Sequence, residues 1–170
     1  MSLADFKRPT LEKVKELLKP LGFRKTARLF SRQSQDVVHL IEIQGSRDST
    51  STKARFTVNV GVYAPGLPER SSRTPIKAAI PIAHWRKRLG HLCPENNDLW
   101  WEVSTPDQAV AVAADIANRL STFALPTLAT LPNLESLVAL WKSGQCPGLT
   151  DVQRLDLLAR LSGANRRDVE

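Results

Sequence analysis

The chain has 170 residues, 42% hydrophobic and 24% charged, so it can bury a sizeable core without a metal or a disulfide. No apolar run approaches the roughly 18 residues that span a bilayer, and the first residues contain no signal-peptide core. Two cysteines, Cys93 and Cys146, are too few for a disulfide framework. We therefore expect a cytoplasmic protein that does not associate with a membrane.

The net charge of +7 is unevenly distributed along the chain. Residues 1–92 contain 18 Lys and Arg against 7 Asp and Glu, a net +11, whereas residues 93–170 contain 6 against 10, a net −4. A basic half of this kind suits an acidic protein partner, a nucleic acid or a phosphorylated ligand. The alternative is a solvated basic surface that is matched electrostatically by the acidic half.

The first elements are a helix and a basic strand. Apolar residues at spacings of three and four over residues 11–21 predict an amphipathic helix that ends near Pro20 and Gly22. Residues 23–32 predict one strand, which could be interrupted near Ala27. An unbroken strand would place three arginines on one face: Arg24, Arg28 and Arg32.

Two longer strands follow. Residues 37–44 alternate poorly, which indicates a central strand that is partly covered on both faces or one that contains a bulge. Residues 45–53 predict a polar hairpin loop. Residues 55–63 form the clearest strand of the chain. Its apolar face consists of Phe56, Val58, Val60 and Val62.

The next stretch leaves several alternatives open. Residues 64–83 form a long connection with four prolines, which we expect to be partly disordered rather than a folded lid. Residues 84–90 could form a strand with His84, Arg86 and Arg88 on one face, or a short helix. Residues 99–103 predict a further strand in which one of two adjacent tryptophans, Trp100 and Trp101, enters the core.

Three capped helices complete the chain, and they begin near Thr105, Asn133 and Thr150. This order predicts an α+β fold: an antiparallel meander sheet of four to five strands, with an N-terminal helix and three C-terminal helices packed mainly on one face. We expect one domain over residues 1–170, frayed at residues 1–8 and 164–170.

The sequence contains no complete catalytic motif. Phosphate loops, nucleophile elbows and His-Glu-x-x-His motifs are absent. His91 and Cys93 are too few for a metal site, and nothing places Asp98 and Glu102 around a shared substrate. We expect no metal and no cofactor.

The polar face of the sheet is the best candidate site. Gln44, Thr57 and Asn59 lie in adjacent predicted strands and would form an amide-rich patch if the hairpin register aligns them. Four cationic or titratable residues could border this patch: Arg28, Arg32, His84 and Arg88. Trp100 could offer a stacking surface. The alternative is an ordinary solvent-exposed face of an antiparallel sheet.

Several segments also carry a resemblance in their order: Leu18–Lys25, Leu29–Arg32, Val37–Gln44, Phe56–Tyr63, Arg88–Gly90 and Asp98–Trp101. Together they resemble the bacterial domain-of-unknown-function family four-three-zero-four over roughly residues 10–125. The resemblance implies a small cytoplasmic bacterial α+β domain. It supplies no activity, cofactor or catalytic residue.

Three functional hypotheses follow. The first is a non-enzymatic binding or regulatory domain that engages a protein or an anionic ligand through the polar face. The second is a nucleic-acid-binding domain that uses the basic residues 1–92. The third is an enzyme that acts on a small anionic substrate, for which His84 is the best candidate titratable group.

Overall fold

The computed structural model describes residues 3–67 and 78–164, with the side chains of residues 8–67 and 78–162. Six antiparallel strands form one sheet. They are β1 (Arg24–Thr26), β2 (Leu29–Ser34), β3 (Val37–Gly45), β4 (Ala54–Tyr63), β5 (Trp85–Arg88) and β6 (Trp101–Val103). The strand order is β1-β2-β3-β4-β5, and β6 pairs with the first half of β4.

Helices flank this meander in the chain. They are α1 (Leu3–Leu18), α2 (Pro106–Arg119), α3 (Leu125–Ala129), α4 (Leu134–Lys142) and α5 (Asp151–Ala164). A π-helical turn, Leu120–Ala124, joins α2 to α3. The predicted α+β fold is therefore confirmed, and the sheet has six strands within the described residues. No single helix in the described residues is long and apolar enough to cross a membrane; one pair bent by 86°, Pro106–Ala129 with Leu134–Lys142, meets the length and composition requirement.

The sixth strand arises because the basic strand predicted over residues 23–32 is a hairpin. Ala27 adopts a left-handed conformation with φ of 54°, and Thr26 pairs with Leu29 across the turn. The strand is thus interrupted near Ala27, an alternative that the sequence left open, and the condition under which the three arginines share one face is not met. Arg32 lies opposite His39 on the helix-covered face of the sheet, whereas Arg28 belongs to the turn.

One face of the sheet carries the main core. The even-numbered residues of β4 from Phe56 to Val62 are fully buried there, as the period-two pattern predicted. They join a single apolar cluster with residues of α1, α2 and α4, such as Leu18, Ile116 and Trp141. Full burial of side chains of this size stabilises the fold by about 1.5–3 kcal/mol each. Trp101 is the buried tryptophan of its pair, and its indole N–H donates to Asp115 on α2 at 2.8 Å.

The other face is covered by an apolar cluster at one end. Leu40, Tyr63, Ile80 and Ala83 form a small second apolar cluster, in which a short 3-10 turn, Ile80–Ile82, packs on β3 and β4. This cover explains the poor alternation of β3, which has apolar neighbours on both faces. The rest of this face, towards Gln44, carries polar side chains. The expectation of disorder within residues 64–83 falls largely on residues 68–77, outside the described residues.

Residues 84–90 form strand β5 followed by a 3-10 turn, Leu89–His91. The loop between α4 and α5 lies against this strand, because the backbone N–H of Arg86 donates to the carbonyl of Pro147 at 3.0 Å. The loop thereby forms a wall beside the polar end of the second face.

Candidate functional site

A cleft of about 1000 Å³ opens on the polar end of the second sheet face. We call it the polar-face cleft. Its floor consists of Glu42 and Gln44 from β3 and Asn59 from β4. Arg86 and Arg88 from β5 line it beside this floor, while the turn at Pro81 and the loop at Pro147 also border it. Its volume lies at the upper end of the range of small-molecule sites.

The strand register assembles the floor. Glu42 lies directly opposite Asn59, and Gln44 lies two pairs further along, on the same face, opposite Thr57. The Asn59 side-chain N–H₂ donates to Gln44 Oε1 at 2.7 Å and to Glu42 Oε2 at 3.4 Å. Asn59 is only 7% exposed, so these bonds satisfy a nearly buried donor. Three polar side chains are thus held in one network in mid-sheet.

Two arginines of the cleft are paired with carboxylates. Arg28 donates from Nε to Glu42 Oε1 at 3.2 Å, and Arg88 donates to Asp98. Partial burial raises the pKa of Asp98, but hydrogen bonds from Arg88 and Trp100 and the charge of Arg88 outweigh it, so this pKa lies below its ordinary value. Asp98 therefore stays ionised at neutral pH and acts as an acceptor for Arg88.

Arg86 differs from these two arginines, since it makes no ion pair with a residue that the structure describes. Lys87 lies between Arg86 and Arg88 on β5 and pairs with Val60, so its side chain points towards the helix-covered face. Arg86 directs Nη1 to the backbone carbonyls of Ile80 and Pro81. A guanidinium has five N–H donors, so this contact fixes the position of Arg86 and leaves donors for another group.

The charges on the polar face of the cleft sum to a net +1, from three cations and two carboxylates: Arg28, Arg86 and Arg88 against Glu42 and Asp98. Positioned cations beside carboxamides favour an anion that also forms hydrogen bonds. Within residues 3–67 and 78–164, no cluster of three or more His, Cys, Asp or Glu side chains could hold a metal ion.

The structure brings four of the eight predicted site residues into this cleft: Arg28, Gln44, Asn59 and Arg88. Arg32 is not among them, because the hairpin at Ala27 places it on the opposite face. There its guanidinium lies 4.7 Å from the Phe23 ring centroid and donates to His39 Nδ1 at 3.1 Å. Arg32 therefore contributes to packing between the sheet and the segment that follows α1, where it also donates to the Leu21 carbonyl at 3.2 Å.

Three further predicted residues lie near the cleft without lining it. Thr57 points to this face but is buried and donates to the Leu99 carbonyl at 2.8 Å. The Trp100 ring centroid lies 5.0 Å from the guanidinium carbons of both Arg55 and Arg88. Trp100 thus positions Arg88 by a cation–π contact.

His84 lies in a neighbouring cleft of about 310 Å³ between the Ile80–Ile82 turn and α5. Its ring stacks on Tyr63 with a centroid distance of 5.2 Å, and Nδ1 accepts from the backbone N–H of Ala64 at 3.0 Å. These contacts hold the ring beside the second apolar cluster. The hypothesis that His84 serves an enzyme active site stays a prediction.

Sequence reasoning did not select Arg86, although the strand interpretation of residues 84–90 had already aligned Arg86 with Arg88. It also set aside Asp98, whose pairing with Arg88 bridges a turn of the chain. The wall at Pro147 and Gly148 left no local signal in the sequence, because its contact with β5 joins distant segments.

Comparison with known proteins identifies the family. The model of the family described as Domain of unknown function (DUF4304) matches residues 14–130. The chain belongs to this family. The matched region includes the whole sheet and the floor of the cleft, but it ends before the loop at Pro147 and before α4 and α5. No curated protein and no solved structure matches the chain.

Proposed function

We propose that this member of the DUF4304 family is a non-enzymatic binding domain that takes an anionic ligand into the polar-face cleft. The observation that supports this proposal is the placement of Arg86, a cation without a carboxylate partner among the described residues, beside the amide network of the floor. The contact of Arg86 with the Pro81 carbonyl holds its side chain before a ligand arrives, which lowers the entropy cost of binding.

Titration with inorganic pyrophosphate tests this proposal. We expect the melting temperature to rise with pyrophosphate concentration, because a ligand that binds only the folded state stabilises it. Arg86→Gln should weaken binding about tenfold to hundredfold, since it removes charge-assisted hydrogen bonds worth about 1.5–3 kcal/mol.

Arg47→Gln is the matched control, because Arg47 is exposed in the β3–β4 loop and does not line the cleft. It should bind pyrophosphate as the unchanged protein does. Equal weakening by both substitutions would indicate a general charge effect and would contradict a site at Arg86.

A second candidate function is nucleic-acid binding through a groove at the end of α1. Lys15, Lys19, Arg24 and Lys25 line this groove of about 500 Å³, and no acidic side chain lines it. Lys15 and Lys25 both contact Glu12, at 3.3 and 3.6 Å, whereas Lys19 and Arg24 make no ion pair with the described residues. Cations without carboxylate partners suit phosphate contacts.

A gel-shift titration with duplex DNA and with single-stranded RNA at several salt concentrations tests this second candidate. The double substitution Lys19→Ala with Arg24→Ala should lower the slope of log affinity against log salt for duplex DNA by about 1.8, since each phosphate contact contributes about 0.9. The control is Lys142→Ala, at an exposed lysine outside the groove. If neither nucleic acid shifts at low salt, this candidate is excluded.

The cellular setting that we propose is a bacterial cytoplasm. The resemblance noted from the sequence implies a bacterial family. Cys93 and Cys146 are both free thiols, which is typical of a reducing compartment. Measuring their thiol state in protein isolated from its native cells under alkylating conditions would test this setting, and an oxidised pair would contradict it.

A further inference from the structure

The orientation of the two carboxamides in the cleft floor is fixed by their neighbours. The Asn59 side chain faces a carboxylate oxygen of Glu42, at 3.4 Å, and carboxylates at neutral pH only accept hydrogen bonds. The nitrogen of Asn59 must therefore point to this side. The same nitrogen lies 2.7 Å from Gln44, so Gln44 presents its oxygen to Asn59. This network assigns both amide orientations.

The assignment determines which polar atoms remain for a ligand. Asn59 retains its Oδ1 acceptor, and Gln44 retains its Nε2 donor. A donor beside an acceptor complements the edge of a planar group that itself has an acceptor beside a donor. Nucleobases present such edges, and Asn and Gln side chains bind them by paired hydrogen bonds. A simple inorganic anion would accept from Gln44 but leave the Asn59 acceptor unused.

The cations of β5 lie at a suitable distance from these amides. Asn59 pairs with Arg88 across the sheet, while Arg86 pairs with Gly61, two residues further along β4. Neighbouring strands are about 4.8 Å apart and two residues along a strand span about 6.7 Å, so Asn59 and Arg86 lie roughly 8 Å apart at the backbone. A phosphate that is joined to a base through one ribose can bridge this separation.

Between the amide floor and the arginines of β5, the surface of the cleft is apolar or lacks side chains. Ile80 lies over Gly61, where an added Cβ would stand 3.0 Å from Ile80 Cδ1. Pro81 and Pro147 also line the cleft. Apolar walls with a few placed polar groups are typical of sites for small organic ligands.

We propose that the ligand of the polar-face cleft is a nucleotide, with its base edge bound by Gln44 and Asn59 and its phosphate bound by Arg86. This inference rests on the anion-binding function proposed above. It adds a chemical class of ligand and assigns separate roles to the floor and to β5.

Calorimetric titration of the full chain with four nucleoside monophosphates, ribose 5-phosphate and the four free nucleosides tests the assignment. We expect at least one nucleotide to bind about tenfold or more tightly than ribose 5-phosphate. A paired hydrogen bond to a base edge is worth about 1–3 kcal/mol, and 1.4 kcal/mol corresponds to tenfold. The corresponding nucleoside should bind more weakly than the nucleotide.

Gln44→Met separates the two ends of the ligand, because methionine removes the donor and keeps a similar length. It should weaken nucleotide binding about tenfold and leave ribose 5-phosphate binding unchanged. Gln145→Met is the control at an exposed glutamine outside the cleft. The melting temperature of each variant without ligand checks that the fold is retained, and Gln44→Ala is a second variant if the first does not fold.

The outcomes distinguish this inference from the function on which it rests. If ribose 5-phosphate binds as tightly as every nucleotide, the nucleotide assignment is overturned while anion binding stands. If Gln44→Met weakens both ligands equally, the separate role of the floor is overturned. If neither pyrophosphate nor any nucleotide binds, both proposals fail.

Discussion

Asn59 joins the strands at the centre of the cleft floor, and its nitrogen faces two oxygen acceptors. We predict that Asn59→Asp lowers the free energy of unfolding by about 1–3 kcal/mol at pH 7, because a buried bond is lost. The new carboxylate would also face that of Glu42. Such repulsion raises the pKa of a carboxyl in the folded state, so the stability loss should shrink towards pH 4, where the group is protonated.

Urea unfolding of this variant and the unchanged protein at pH 7 and pH 4 measures the difference. Gln145→Glu serves as the control, since it exchanges an amide for a carboxylate at an exposed position. An equal loss at both pH values would mean that Glu42 and the new group do not interact.

His39 is buried on the opposite face with one defined protonation state. Its Nδ1 faces the Arg32 guanidinium at 3.1 Å, and its Nε2 faces the Leu131 carbonyl at 2.9 Å. Arginine only donates and a carbonyl only accepts, so the neutral ring with the proton on Nε2 satisfies both. Burial lowers the pKa of His39, the Leu131 carbonyl partly offsets this, and the Arg32 charge lowers it further.

A lowered folded-state pKa predicts acid sensitivity. The unfolded chain binds the His39 proton at higher pH than the folded protein, so this contribution to stability is complete above about pH 6.5 and is lost as pH falls below it. We expect the unfolding free energy to fall between pH 7 and pH 5, by about 1.4 kcal/mol for each unit by which the pKa of His39 is lower in the folded protein than in the unfolded chain. His39→Gln should flatten this dependence in urea titrations, and His91→Gln, at an exposed ring, should not.

At the scale of elements, the loop between α4 and α5 closes the cleft because Gly148 has no side chain. Gly148 has φ of 86°, and an added Cβ would stand 2.1 Å from Arg86 Cγ. We predict that Gly148→Ala displaces the loop from β5, because the added Cβ would overlap the Arg86 side chain. Either the loop or that side chain must then move. Pyrophosphate affinity should fall about tenfold, because Arg86 loses its fixed position.

Gly144 provides a matched control in the same loop. Its φ is 87°, but an added Cβ would meet no atom within 4 Å. Gly144→Ala should therefore cost only the left-handed strain of about 1–2 kcal/mol and leave pyrophosphate affinity unchanged. If both substitutions weakened binding equally, contact with Arg86 would not be the cause. Calorimetric titration and thermal unfolding measure the two effects.

At the scale of the whole molecule, the sequence predicted local patterns well and long-range placement poorly. The alternation from Phe56 to Val62 was sufficient to predict β4 and its buried face. The sequence left open an interruption near Ala27 but did not predict the left-handed turn there or the side of Arg32, because alanine is a residue type that does not mark turns. The cleft depends on contacts such as that between Arg86 and Pro147, which join segments far apart in the chain.

The folding unit extends beyond residue 130, where the family match ends. Trp141 on α4 lies outside the matched region, yet it is fully buried in the main core. We predict that Trp141→Ala lowers the free energy of unfolding by about 3–5 kcal/mol, as is typical when a large aromatic side chain leaves a cavity. Val152→Ala on α5 is the control, because Val152 is 77% exposed and should change stability by no more than about 0.5 kcal/mol. Urea unfolding measures both, and a small effect of Trp141→Ala would place the stabilising core within the matched region alone.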